Sequence, residues 1–359
     1  VSGPEIWQYM KRTTDKYNLD ERVELNSKIT SSIWDDDAGK WRIKVQKTDS
    51  VGSMTEVDVE ADVVINGSGF LSKWSWPNIK GIETYKGTLV HSAAWDTSLD
   101  WTDKRVAIIG NGSSAIQILP QMQPKAKSIT TYIRSPTWIC SNFVAEFTPN
   151  GTNFTYTEEQ KQKFREDPDE LFKLRRSIED AMNKFFYTLV KDSPEQKGAF
   201  ALFKKSMEER LNHDPVLCAK LIPDFEVGCR RLSPGDDYLE ALQRPNVSIE
   251  FSGISEITPT GITSQGGAQD FDIIVSATGF DVSYCPSWTV VGKNGVNLAE
   301  QWKDHPEAYF GTCAPNIPNY FIVNGPNSPV AHGSLLAVMD WTAEYILRWC
   351  RKIASQDIK

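Results

Sequence analysis

Three strand-end turns predict an α/β chain. The stretch "KRVAIIGNGSSAIQILPQM" reads as strand, glycine turn and helix, and a further strand, "SITTYIRS", follows after a short gap. That order is a βαβ unit, the kernel of a doubly wound, dinucleotide-binding domain. "VVINGSGF" and "IIVSATGF" each close an apolar run with small residues, one on either side of that unit. Small residues at a strand end let backbone approach a ligand or another chain segment. A pair flanking a nucleotide-binding unit predicts one domain interrupted by another. The expectation is therefore two interleaved dinucleotide-binding (Rossmann-like) domains with a helical insertion. The first covers 1–99 and returns over 279–359, and the second covers 100–278 with the insertion at about 155–215.

The elements follow in order. "GPEIWQYMKRTTDKYNL" places Pro4 at a helix start and spaces Ile6, Tyr9, Met10 and Tyr17 on one helical face. "ITSSIWDDDAGKWRIKVQK" predicts two strands joined around Asp37-Ala38-Gly39, and "MTEVDVEADVVINGSGF" ends in a buried strand. "LSKWSWPNIKGIETYKG", rich in Pro, Gly and Trp, reads as a connector. Residues 155–215 are charged and helical with a break at Pro168, a solvated face over an apolar stripe that packs on the domain or covers a pocket. "FDIIVSATGF" is another buried strand. The tail reads as strand, Pro/Gly loop and long helix.

Composition excludes several classes. A formal charge of −8 argues against a general nucleic-acid binder. No apolar run reaches the roughly 18 residues of a membrane span, and the start has no signal-peptide pattern. The 6 cysteines are scattered without a C-x-x-C pair, which suits a reducing compartment and gives no zinc or dithiol signal. A cytoplasmic protein is the expectation. The N-x-S/T triplets at Asn66, Asn111 and Asn153 read as accidents. The 12 tryptophans and 16 phenylalanines fit an aromatic core or an aromatic-lined pocket.

The strongest chemical signal is "IIGNGSSA", which puts Gly110, Gly112 and Ala115 in the G-x-G-x-x-G/A positions. Gly110 permits the tight turn, Gly112 admits a pyrophosphate, Ala115 keeps the helix close to the sheet, and the helix N-terminus favours phosphate charge. An NAD site places a carboxylate roughly 20 residues on, to bond the ribose hydroxyls. This chain offers "YIRSP" instead, with Arg134 and Ser135. A guanidinium holds a phosphate that a carboxylate would repel, which favours NADPH.

Beside these motifs, "YKGTLVHSAAWD" resembles the fingerprint of Baeyer–Villiger monooxygenases, F-x-G-x3-H-x3-W followed by Pro or Asp. Gly87, His91, Trp95 and Asp96 match, and Tyr85 replaces Phe. "GNGSSAIQ" (Gly110, Gly112, Ser113, Ser114, Ala115, Gln117) is similar to that family's NADPH loop, and "IRSP" (Arg134, Ser135) to its 2′-phosphate clamp. "GCRR" (Arg230, Arg231) resembles its basic pair, "SATGF" (Ala277, Thr278, Gly279) its domain-return turn, and "NGPNS" (with Asn327) its flavin-side loop. The similarity runs over nearly the whole chain. "VINGSGFLSKWSWP" leans towards the fungal enzymes of this type that oxidise polyketide or terpenoid ketones.

The resemblance implies FAD and NADPH as cofactors, with a small-molecule ketone and O2 as substrates. One oxygen of O2 is inserted beside the carbonyl to give an ester or lactone. It implies that Arg231 is the catalytic cation, that Arg230 assists with the NADPH phosphate, and that His91 hydrogen-bonds at the domain linkers rather than attacking substrate. No second ligand at suitable spacing makes His91 a metal site; His213, His305 and His332 read as structural. Two alternatives stay open: a flavin monooxygenase that oxygenates N or S, and an inactive NADPH-binding remnant. The second arises because the family's first G-x-G-x-x-G should precede residue 1, so the FAD domain reads as incomplete at its N-terminus.

Overall fold

An all-parallel sheet of five strands carries the middle of the chain. Its order is Val247–Glu250, Ser128–Tyr132, Arg105–Ile109, Ile273–Ser276, Thr88–His91. The computed structural model describes residues 2–140, 145–151, 154–230, 232–328, 333–356 and 358. Contacts divide the chain into two units: Leu71–Asp281 holds this sheet, and Val1–Phe70, Val282–Ser328 and Leu336–Lys359 make up the other. The boundary drawn at residue 99 from the sequence therefore moves to about residue 70. The reason is the strand Thr88–His91, which hydrogen-bonds beside Ile273–Ser276 and so belongs to the second unit.

In the five-stranded unit the central strands are buried on both faces, as parallel strands covered by helices must be. Val106, Ala107, Ile108, Ile274 and Val275 are fully enclosed. Helix Ser113–Met122 covers one face with Ala115, Ile116, Leu119 and Met122. A three-stranded antiparallel sheet (Ile254–Ile257, Gly261–Ser264, Gly267–Asp270) contributes Ile257 and Ile262 to the other apolar cluster. Arg105 and Asp272 pin the register at the strand starts: the guanidinium makes two hydrogen bonds to the carboxylate, and the Arg105 amide donates a third. Those bonds hold the Asp272 carboxyl down at about 2.

The insertion is helical as expected, and each helix starts on a local cap. Thr157 caps Glu158–Glu166, Asp167 caps Pro168–Lys184, Ser193 caps Pro194–Arg210 and Asp214 caps Pro215–Leu221. Each such cap is worth about 1 kcal/mol. Pro168 ends one helix and begins the next, because its missing N–H costs nothing in a first turn. Only the later part reaches the core, through Ala199, Met207, Leu211 and Leu221. The helix Pro168–Lys184 buries no residue.

In the other unit, Ser27–Asp35, Lys40–Thr48 and Met54–Ala61 form an antiparallel meander, joined in parallel by Thr289–Val291. A separate parallel pair joins Val64–Asn66 to Tyr320–Ile322. Trp41 is fully buried, packs against Trp34 and Tyr320, and donates its indole N–H to the Pro318 carbonyl. The predicted helix at the start is present, with Pro4 in its first turn and a Ser2/Glu5 capping box. Its face of Ile6, Tyr9 and Met10 is at least half exposed, so the helix rests on local capping rather than on burial among the described residues.

Four of the twelve tryptophans (Trp34, Trp41, Trp138 and Trp302) are buried in the core, and burial separates the energetic weights of the set. Trp138 is 1% exposed, packs on Phe200 and donates to the Phe225 carbonyl, whereas Trp7 is 66% exposed. Trp138→Ala is expected to cost about 3–5 kcal/mol and Trp7→Ala less than about 0.5 kcal/mol, read as shifts of the urea midpoint.

Candidate nucleotide site and the His91 cluster

The glycine turn sits at the carboxyl end of the central parallel strand, where open α/β sheets bind ligands. Gly110 has φ +121°, and a Cβ built on it would lie 2.4 Å from the Ala277 carbonyl oxygen. Only glycine lets these two strand ends approach this closely. The approach is locked by hydrogen bonds from the Gly110 amide to the Tyr132 carbonyl and from the Ala277 amide to the Ile109 carbonyl. Gly112 is different. It is exposed, has ordinary φ, and a Cβ there would meet nothing within 4 Å.

Gly112 is the N-cap of helix Ser113–Met122 and has no side chain to bond the first amides. Those amides face outward as an electropositive end suited to phosphate oxygens. Ala115 is fully buried against the sheet. The Ser113 hydroxyl lies 3.2 Å from that of Ser233, tying the helix start to the segment that follows Arg230. Gln117 bonds back to the Ser113 carbonyl, while the side chain of Ser114 is half-buried.

Beyond the second strand, Arg134 and Ser135 are both exposed. The Ser135 carbonyl accepts a hydrogen bond from the Asn111 side-chain amide, so the "IRSP" turn is tethered to the glycine loop. The Arg134 guanidinium has no ion pair or hydrogen bond among the described residues. Arg230 is exposed, with its guanidinium carbon 5.1 Å from the centre of the Phe225 ring. Arg231 lies outside the described residues, as do Asn153 and His332.

His91 ends the strand Thr88–His91 and is paired in register with Ser276. It is 1% exposed. Its ring stacks on Trp74, with centroids 4.3 Å apart, and Trp76 meets it edge-on. Nδ1 accepts from the Ala93 amide, which leaves the proton on Nε2, 3.4 Å from the Thr278 hydroxyl. Thr278 in turn meets the Ser276 hydroxyl at 2.9 Å. Burial pushes the imidazole below its ordinary pKa. His91 is thus a neutral imidazole of fixed tautomer that links its strand to the "SATGF" turn, in which Gly279 has φ +87° with open space around it.

The rest of the fingerprint is structural. The Tyr85 ring lies across Gly87, where a Cβ would fall 2.4 Å from the phenol oxygen. The Tyr85 hydroxyl donates to the Phe271 carbonyl, and burial pushes it up to about 12. Trp95 packs on Trp101, and Asp96 accepts from the Ser98 amide and hydroxyl.

In the other unit, an asparagine stands at each turn at the carboxyl end of the parallel pair, Asn66 at one and Asn324 at the other, and neither is marked as a site residue by the sequence. Asn66 donates to the Tyr320 hydroxyl and accepts from the Ser68 amide and hydroxyl, leaving Gly67 and Gly69 open. Asn324 is buried with φ +57°, and its Oδ1 has no hydrogen-bond partner among the described residues. Asn327, the residue singled out in this loop, is exposed with φ +62°. Among the described residues no cluster of His, Cys, Asp and Glu could hold a metal ion.

The two glycines respond differently to a methyl group. Gly110→Ala is expected to destabilise by about 2–4 kcal/mol through strain and overlap with Ala277. Gly112→Ala is expected to change stability by less than about 0.5 kcal/mol. Chemical denaturation of both variants checks this.

The lowered pKa of His91 also sets a pH dependence. The unfolded chain takes up this proton at about pH 6.5 and the folded chain only at lower pH. The contribution is complete above that value and declines as pH falls towards the folded pKa. Unfolding free energies measured from pH 7.5 to 5 should show this decline, and His91→Gln should flatten it.

A family model for flavin-binding monooxygenase-like proteins matches residues 1–164. The FAD-binding monooxygenase tazF of Aspergillus terreus is 46% identical over 361 residues, covering 100% of this chain and 64% of that protein. A Baeyer–Villiger monooxygenase of Streptomyces coelicolor is 32% identical, covering 98% of this chain and 65% of that protein. The chain thus spans less than two thirds of the length of either relative. Among solved structures, OTEMO in complex with FAD and NADP superposes with a TM-score of 0.83 at 25% identity, covering 99% of this chain and 71% of that one. Open cyclohexanone monooxygenase gives 0.79 at 23% identity, with 99% and 73% covered, a likeness of fold. Residues 1–164 thus match the flavin-binding monooxygenase-like family, and nearly the whole chain is similar in sequence to FAD-binding and Baeyer–Villiger monooxygenases.

Proposed function

We propose that this chain is the NADPH-binding portion and part of the FAD-binding portion of a Baeyer–Villiger-type monooxygenase. The reaction consumes a ketone, O2, NADPH and a proton and yields an ester or lactone, NADP+ and water. The observation that carries this reading is the glycine loop at the carboxyl end of the parallel sheet, with an unpaired arginine on the turn tethered to it. A relative named as a Baeyer–Villiger monooxygenase over 98% of the chain supports the reaction class.

The residues present fit the nicotinamide nucleotide. Open space over Gly112 admits a pyrophosphate, the amides after it supply donors, and Arg134 is free to take the 2′-phosphate. Arg230 adds a second exposed cation. They fit part of a flavin nucleotide: Gly67 and Gly69 leave room, and the orphaned Asn324 carbonyl oxygen calls for a donor. When bound, the flavin supplies the activation of O2, and the protein supplies orientation and electrostatics.

The assigned side chains have separate tasks. His91, buried and stacked on Trp74, holds Thr278 and the turn beyond it in place rather than attacking substrate. Arg231 is proposed as the cation that stabilises negative charge developing on the attacked carbonyl oxygen, since a nearby positive charge is worth most in a dry pocket. The substrate is proposed to be a polyketide or terpenoid ketone of fungal secondary metabolism, in keeping with the fungal relative. A cytoplasmic location fits the dispersed cysteines.

The reaction class is tested by supplying FAD, NADPH, isotopically labelled O2 and a panel of ketones, amines and sulfides to the protein. One labelled oxygen in an ester or lactone is expected. Label in N-oxides or sulfoxides alone would replace this reading with heteroatom oxygenation.

A further inference from the structure

The second residue of the glycine loop is asparagine, and both ends of its amide are used. Its Nδ2 donates to the Ser135 carbonyl at 3.3 Å, and its Oδ1 accepts from the Tyr238 hydroxyl at 2.5 Å. Tyr238 begins the short helix Tyr238–Leu242, is 1% exposed, and packs in the same apolar cluster as Ile116 and Leu119 of the loop's helix. A buried phenol with a single short hydrogen bond holds its acceptor firmly, because leaving either group unpaired in that environment is costly.

We propose that Tyr238 is a positioning residue for nucleotide selectivity. Through Asn111 it fixes the Arg134–Ser135 turn beside the glycine loop and so sets the preference for a 2′-phosphorylated dinucleotide. This rests on the reading of the loop as the NADPH site. Among the described residues, no side-chain hydrogen bond joins Tyr238 to the amides after Gly112 or to Arg134. Without its hydroxyl, Oδ1 of Asn111 loses its partner, the amide is free to rotate, and the Ser135 carbonyl loses its tether. The Gly110–Ala277 contact does not involve Tyr238, so the pyrophosphate end of the site persists. The burden falls on Arg134, whose side chain has no partner of its own to hold it.

The test is equilibrium binding of NADP+ and NAD+ to the wild-type protein and to Tyr238→Phe, Asn111→Ala, the double variant and Arg134→Ala. Tyr238→Phe should weaken NADP+ by about five- to tenfold, the scale of one hydrogen bond, and NAD+ by less than about twofold. Asn111→Ala should give the same ratio, and the double variant no further loss, since the two act as one relay. A structural defect would weaken both nucleotides alike, and that outcome, or no change in either, overturns the proposal. Arg134→Ala separates the inference from the reading beneath it. If this variant abolishes the preference and Tyr238→Phe leaves it unchanged, the relay alone is wrong. If it leaves the preference intact, the clamp and the relay fall together.

Discussion

The close approach of Gly110 to the Ala277 carbonyl is the contact on which the candidate nucleotide site depends. Parallel strands place their carboxyl ends side by side, and a side chain at either turn would force them apart. The missing Cβ at Gly110 lets the Ile109 and Ala277 backbones bond directly, so the chain turns sharply and enters helix Ser113–Met122 with its first amides facing outward. At the opposite ends of the same two strands, Arg105 and Asp272 fix the register. Held at both ends, the pair Arg105–Ile109 and Ile273–Ser276 forms a rigid edge, which is what an anion site made of backbone donors requires.

From that edge two arrangements radiate within the same unit. One runs through Asn111 to Ser135 and Tyr238 and orders the turn bearing Arg134. The other runs from Ser276 to Thr278 and His91, whose ring is held between a backbone amide and the Trp74 indole. The fingerprint histidine is therefore an element of architecture: a neutral imidazole that joins the strand Thr88–His91 to the turn after Ile273–Ser276. Neutrality suits that task, since a charged ring would be penalised where no carboxylate partner is found among the described residues.

The parts of this arrangement that were legible in the sequence are those with local causes. Gly110, Gly112 and Ala115 announce their turn because only small residues satisfy its geometry, and the breaks at Pro4 and Pro168 mark helix starts by the same logic. Long-range pairing was less visible. The sequence groups Thr88–His91 with the preceding residues because nothing in four residues reveals that they hydrogen-bond beside Ile273–Ser276. Tyr238, Trp74 and Asn66 carry no motif, and their importance lies in partners distant in sequence. Asn324 and Asn327 share the NGPNS loop, where burial of the first and exposure of the second distinguish them, and neither can be read from the letters. The helix face of Ile6, Tyr9 and Met10 shows the converse: a clear apolar period that is not buried among the described residues.

Hydrogen–deuterium exchange with and without saturating NADPH probes the central claim most directly, because the site is built from backbone amides. Protection is expected at Gly112–Ala115 and across the Ile133–Ser135 turn, with the strand interiors unchanged. Protection confined to other segments, with the amides after Gly112 exchanging as fast as before, would contradict a dinucleotide seated on this loop.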